Sequence, residues 1–149
     1  MKKDYDVKEL TTEDFILYNE SFYRTLENLR ESPVLGMKES KDLLEKVNAQ
    51  EGHIFVAIKN HEEIIGTAKI IIEQKFFDGG KKAGHIEDVV TRKGFEGMGI
   101  GGALVKEAIE LSKRERCYKI ILDCDEKLLN FYEKFGFKKA GDFMRMYLK

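Results

Sequence analysis

The stretch that most constrains this chain is Gly84-His85-Ile86-Glu87-Asp88-Val89-Val90, followed after a short basic link by Glu96-Gly97-Met98-Gly99-Ile100-Gly101-Gly102-Ala103-Leu104-Val105. The first part reads as a buried strand interrupted by two acids. The second reads as a glycine turn that opens a helix. Such a turn exposes several backbone N–H groups at a helix N-terminus, where the helix dipole also favours negative charge. It is a ready site for a phosphate or pyrophosphate, and the rest of the chain can be read as the walls around it.

Those walls follow in order. Residues 5–10 carry a weak edge-strand alternation. Thr11-Thr12-Glu13-Asp14 offers a cap with acids in the first turn, and Phe15, Leu17, Tyr18, Phe22, Leu26 and Leu29 recur at helical spacing to about Arg30. Glu31-Ser32-Pro33 breaks that helix. A second is expected from a Ser40 cap through Gln50, burying Leu43, Leu44 and Val47. Residues 53–59 and 64–73 read as a hairpin about the turn 60–63, with Gly66 a candidate bulge. Residues 74–83 form a loop with two adjacent phenylalanines and three lysines. The strand 84–91 follows, then a helix over 98–114 with Leu104, Val105, Ala108, Ile109 and Leu111 inward. Residues 117–123 read as a short strand of the kind buried in a sheet, residues 126–135 as a helix ended by Gly136, and residues 137–148 as a final hairpin. Strands and helices alternate only in the second half, so a mixed sheet with helices on both faces is expected.

The chain has 149 residues and fits one domain, 1–149, with one core. A net charge of −1 suggests no polyanion partner. No apolar run is long enough to span a bilayer, and the first ten residues lack an apolar leader core. Cys117 and Cys124 lie seven apart, an odd separation that points them to opposite faces of a strand and disfavours a disulfide. A reducing, cytoplasmic location is therefore expected. His53, His61 and His85 lack metal-ligand spacing, so no metal is expected. His85 shares a strand face with Glu87 and reads as a structural histidine.

The glycine turn admits several chemistries. A nucleotide P-loop needs a Lys and a hydroxyl after its last glycine, and Ala103-Leu104 stand there instead. Gly97-x-Gly99-x-x-Gly102 matches a dinucleotide fingerprint literally, with Asp123 about 20 residues on. That motif should follow its strand directly, however, and residues 91–96 intervene. A coenzyme A turn fits the spacing. The alternative without a ligand is a tight turn whose glycines only permit close helix–sheet packing.

The spacing Glu96-x-x-Gly99-x-Gly101 resembles the turn of the GNAT superfamily of N-acetyltransferases, Gln/Arg-x-x-Gly-x-Gly/Ala, with Glu96 in place of Gln or Arg. A carboxylate beside a pyrophosphate is unfavourable unless it turns to solvent; Arg92 and Lys93 are the nearby charges that could offset it. Asn130-Phe131-Tyr132-Glu133-Lys134-Phe135-Gly136-Phe137 resembles the superfamily's C-terminal helix, a Tyr followed by Lys-x-Gly-Phe. Together with Gly84-His85-Ile86-Glu87-Asp88 and the run 117–127, these blocks are similar to the branch whose acceptor is glucosamine 6-phosphate. The similarity is good over residues 70–137; the first third fits in length and helical pattern.

The resemblance implies an α/β (α+β) GNAT fold with a mixed sheet of about six to seven strands and about four helices. It implies acetyl transfer from acetyl-CoA, as co-substrate, to the 2-amino group of the sugar phosphate, for amino-sugar nucleotide synthesis. It lays pantetheine beside Val89, Val90 and Thr91, and the pyrophosphate against the amides of Gly97, Met98, Gly99, Ile100, Gly101 and Gly102. Tyr132 is the expected general acid, with Glu133 and Lys134 near the cofactor. Glu87 or Asp123 would orient the amino sugar and relay its proton. For Glu87 and the adjacent Asp88, only a bulge lets both point into one site. Sugar-phosphate contacts are expected from Lys75, Phe76, Phe77, Asp78, Tyr118, Lys119 and Arg145, with Ser32 as a weaker candidate. A homodimer with shared sites is implied, and neither nucleic acid nor membrane is an expected partner. Acetylation of another small or protein amine, and a non-catalytic CoA sensor, remain the alternatives.

Overall fold

The computed structural model describes residues 3–148. Met1 and Lys2, which enter the reading of the leader, and Lys149 lie outside them. The sheet has five strands in the order β1-β2-β3-β4-β5. They are β1 (Tyr5–Glu9), β2 (Gly52–Lys59), β3 (Glu63–Gln74), β4 (Lys82–Thr91) and β5 (Cys117–Ile121). The first four pair antiparallel, and β5 lies parallel to β4.

Period-two alternation splits β2 and β3 between two cores. Val56, Ile58 and Ile64 face α1 (Thr12–Leu26) and α2 (Met37–Ala49), where they meet Phe15, Phe22 and Leu44. Phe55, Ala57, Ile65 and Ile70 face α4 (Ile100–Arg114), where they meet Leu104, Val105, Ala108 and Leu111. Helices thus cover both faces, as expected. Gly66 is where α4 comes closest: a Cβ there would lie 2.4 Å from Ile100 Cγ2.

Several boundaries moved. The Thr11 cap holds, with Thr11 Oγ1 accepting from Asp14 N at 3.1 Å and Asp14 Oδ2 accepting from Thr11 N at 3.0 Å. The helix stops at Leu26 rather than near Arg30, and the next residues continue as turns. Ser40 caps nothing. It is buried inside α2, whose N-cap is Gly36, with Oγ 2.8 Å from the Tyr23 hydroxyl. Leu44 is buried but Leu43 is exposed. The 74–83 loop contains a single helical turn, α3 (Phe77–Gly80). The 126–135 helix is a 3₁₀ turn (Glu126–Leu128) followed by α5 (Leu129–Glu133), which is capped at Lys134, two residues before Gly136 with its φ of +97°.

Among the described residues the strand count is five, not six to seven. Residues 137–148 form no strand, and Met144, Met146 and Leu148 are more than four-fifths exposed. A hairpin needs a ladder partner, and among the described residues this segment has none, although Phe137 packs against the core. The same fact makes β5 an edge rather than a buried strand, with Tyr118 and Ile121 exposed. Both cysteines are free thiols, and Cys124 lies beyond β5.

Candidate active site

The site begins where β4 leaves its neighbours. Between Lys69↔Glu87 and Thr67↔Val90 the ladder advances two residues on β3 and three on β4, so β4 carries a bulge. Its extra residue is at Asp88, whose φ is +52°. On the other side, β4 pairs with β5 only from Lys82 to His85. β5 ends at Ile121, opposite His85, and the β5-facing backbone of residues 86–91 has no strand partner among the described residues. That is a slot in which an extended ligand can pair with β4 as a further strand would.

The slot ends at the glycine turn. Gly97 and Gly99 take left-handed backbone, φ +81° and +78°, which bends the chain into α4 at negligible steric cost. The first N–H groups of α4 have no partner one turn back, because no turn precedes them; the first backbone bond of this type runs from Ala103 N to Gly99 O. Gly102 lacks a side chain for a different reason: a Cβ there would sit 3.2 Å from Phe135, which α5 lays over the helix start.

Glu96 is exposed, yet it is not free. Its carboxylate folds back on its own loop, accepting from Gly94 N at 2.7 Å and from Asn28 Nδ2 at 3.1 Å. Its own backbone N–H and that of Gly94 hold its pKa below the usual carboxylate range. Arg92, expected to offset it, is instead committed to Glu63. Lys93 is exposed, and its charge also favours the Glu96 carboxylate.

Where β5 ends beside β4, three candidate residues come within electrostatic reach. Burial, then Asp123 and then Asp88, raise the pKa of Glu87, against Lys69 and His85, which lower it. Burial, then Cys124 and Asp123, push Tyr132 up to about 12. Asp123 is therefore the neighbour that Glu87 and Tyr132 share. Tyr132 is held edge-on by Phe131 at 4.9 Å and Phe137 at 6.0 Å between ring centres. Asp88 pairs with Lys69 Nζ at 3.2 Å, at the mouth of a cavity of about 190 Å³ beneath α1 and α2 that Phe15, Tyr23 and Leu44 also line. His85 Nε2 lies 2.7 Å from Glu73 Oε1, and Lys75 binds the same oxygen at 3.0 Å. The two hydrogen bonds, Lys75 first, hold Glu73 below the usual carboxylate range.

The expected phosphate contacts do not converge on this point within one chain. Lys75, Phe76, Phe77 and Asp78 lie at the β3–β4 tip, and Phe76 is fully exposed. Tyr118 and Lys119 sit at the same end, since Lys119 pairs with Ala83. At ~3.3 Å per residue, the five steps from Lys82 to Glu87 span about 17 Å. Arg145 stacks between Phe143 and Tyr147 in the exposed tail, 5.0 and 5.5 Å from their ring centres. Glu133, the last residue of α5, and Lys134 just beyond it are exposed. Ser32 Oγ is turned to Arg30 O at 2.8 Å.

Sequence reasoning missed Lys69 and Asn28. A lone cation in the apolar run Ile64 to Ile72 was the available signal for Lys69. Asn28, which donates to Thr91 O at 2.6 Å, falls in the expected tail of a helix and carries no signal at all.

A mixed sheet with a bulge in β4 and a glycine turn that opens α4 is the fold of an acetyltransferase. Residues 7–137 match the acetyltransferase (GNAT) family, and the chain belongs to it. A curated relative in Trypanosoma brucei brucei, glucosamine 6-phosphate N-acetyltransferase, is 47% identical over 83 residues, 56% of this chain and 56% of that protein. The chain spans only about half the length of the first curated relatives it matches. Its structure resembles the crystal structure of a Trypanosoma brucei acetyltransferase with a TM-score of 0.90, at 35% identity over 97% of this chain and 100% of that one. It also resembles glucosamine-6-phosphate N-acetyltransferase from Arabidopsis thaliana, with a TM-score of 0.88 and 29% identity over 97% and 99% of the two chains. No helix among the described residues is long and apolar enough to cross a membrane.

Proposed function

We propose that this chain transfers the acetyl group of acetyl-CoA to the 2-amino group of glucosamine 6-phosphate, in the cytosol and as a homodimer. The observation that carries the reading is the slot itself. The unpaired edge of β4 past His85 runs from Glu87 to the free amides of the glycine turn, with Tyr132 and Asp123 near the end of β5. The names of the relatives supply the acceptor.

The β5-facing backbone of Val89, Val90 and Thr91 holds the pantetheine, and the amides from Gly97 to Gly102 receive the pyrophosphate. When bound, acetyl-CoA supplies an activated acyl carbonyl with a thiolate leaving group. Glu87, its affinity for protons raised by burial, takes the proton that the sugar ammonium loses, with Asp123 as the other candidate for this step. The neutral amine then forms its C–N bond to the acetyl carbon, and the second proton that this nitrogen sheds replaces the one Tyr132 gives up. Tyr132 retains its proton at neutral pH and donates it to the sulfur as the C–S bond breaks. No covalent intermediate on the protein is needed.

The sugar phosphate is assigned to cations at the β3–β4 tip, to Tyr118 and Lys119, and to Arg145. Their separation from Glu87 within one chain supports the homodimer, because a second copy can bring its own set across. The exposed run Phe143, Met144, Met146, Tyr147 and Leu148 supports it further as surface for a partner to cover.

The test is release of CoA thiol from acetyl-CoA with glucosamine 6-phosphate, glucosamine and a lysine peptide as parallel acceptors. Turnover with the phosphorylated sugar alone is expected. Turnover with the peptide alone would overturn the acceptor, and CoA binding without turnover on any acceptor would favour a sensor.

A further inference from the structure

We infer that Asn28 is a positioning residue for the cofactor turn: it holds the Glu96 carboxylate away from the helix amides that would otherwise bind it in place of a pyrophosphate. The inference rests on the cofactor reading above. Asn28 lies just beyond α1, yet its Nδ2 reaches both Thr91 O at 2.6 Å and Glu96 Oε1 at 3.1 Å. One amide group thus ties the loop after α1 to the last residue of β4 and to the residue before Gly97. The other carboxylate oxygen, Oε2, accepts from Gly94 N at 2.7 Å.

The direction of Thr91 O adds to this. Arg92 N donates to Ile65 O on β3 at 2.8 Å. Thr91 O and Arg92 N–H belong to one trans peptide and point opposite ways, so Thr91 O points away from β3, to the open side of β4. Asn28 therefore stands at the junction of slot and turn.

The need for such a device follows from the charge. A carboxylate is stabilised at a helix N-terminus by the dipole and by unpaired N–H groups. Glu96 is next to Gly97 and three residues before Gly99, the cap of α4. Released, it would find the nearest unpaired donors at Ile100, Gly101 and Gly102, and become an internal anion competing with the ligand. Arg92 cannot hold it, being paired with Glu63. Asn28 is the side-chain donor that does.

A set of four proteins tests this: native, Asn28→Asp, Glu96→Gln, and the two changes combined. Each is titrated with CoA by calorimetry, followed through thermal unfolding, and assayed for acetyl-CoA KM and kcat. In Asn28→Asp the ionised carboxylate keeps the shape of the amide but cannot donate. The single change is therefore expected to weaken CoA binding and raise the acetyl-CoA KM about tenfold, with kcat within about twofold. In the combined protein the side chain at position 96 is a neutral amide, which can donate to the new carboxylate at position 28. Affinity is expected to return to within about twofold of Glu96→Gln alone. An unchanged affinity in Asn28→Asp, or an equal loss in both backgrounds, would overturn the inference and leave Asn28 a loop residue. Native protein that binds no CoA would overturn the cofactor reading, and this inference with it.

Discussion

The phenol of Tyr5 donates a hydrogen bond to the carbonyl oxygen of Met98 at 3.3 Å. The bond joins the first strand to the glycine turn across 93 residues of sequence. Tyr5 is also buried in the α4-side core, so the far edge of the sheet steadies the turn on which the proposed pyrophosphate site depends.

Tyr5→Phe keeps the ring and removes only the hydroxyl. It is expected to cost about 0.5–1.5 kcal/mol in chemical denaturation. CoA affinity, measured by calorimetry, should fall severalfold, because the left-handed backbone around Gly97 and Gly99 loses a tether.

The proposed mechanism fixes the sign of the pH profile. Burial, with Asp123 and Asp88, raises Glu87 above the usual carboxylate range. A general base works when deprotonated, so kcat/KM should rise with pH through that elevated value. Tyr132 keeps its proton to about pH 12, so it contributes no alkaline decline in the physiological range. Glu87→Gln should remove the acid limb; a limb that survives would pass the role to Asp123.

Tyr132→Phe isolates the general acid. The ring remains packed between Phe131 and Phe137. A kcat lower by roughly 10²–10⁴ with little change in CoA affinity is expected from steady-state and binding measurements. Native turnover in this variant would remove the assignment.

Gly66→Ala places a methyl 2.4 Å from Ile100 Cγ2, at the first residue of α4. Overpacking of this kind costs about 1–3 kcal/mol. The melting temperature should fall by roughly 2–4 °C for each of those kcal/mol. Trimming the opposing side chain with Ile100→Val should recover part of the loss.

The α1 cap makes stability depend on acid. Asp14 is partly buried, which raises its pKa, but its bonds to Lys8 and Thr11 outweigh burial and leave it lowered. A depressed carboxylate stabilises the fold above its unfolded pKa, and that contribution is lost as pH falls through its folded value. Thr11→Ala should cost about 1 kcal/mol at neutral pH. The difference from native protein should shrink in melts taken at pH 2–3, roughly a unit or two below the carboxylate reference values.

Much of the fold was legible because the rules that made it are local. Thr11 and Asp14 are three residues apart, and a capping box needs nothing else. Gly136 takes left-handed backbone just past α5, as glycine can wherever it falls. Val56 and Ile58 against Phe55 and Ala57 announce a strand buried on both faces. The Ser40 cap failed because a buried hydroxyl follows its partner, and Tyr23 lies on another helix.

The site divides along the same line. The glycine run was legible as an anion site from residue types alone, since backbone amides carry their chemistry with them; the expectation that Glu87-Asp88 and the Tyr132 block join it came from their resemblance to the family. Tertiary structure alone decided that β4 bulges at Asp88, because a bulge is defined against the register of β3. It also decided that β5 ends opposite His85, that Lys69 meets Asp88, and that Asn28 reaches Thr91 and Glu96. It left residues 137–148 without a strand partner among the described residues. In each case the deciding energy belongs to a contact between segments far apart in sequence, and no local pattern records it.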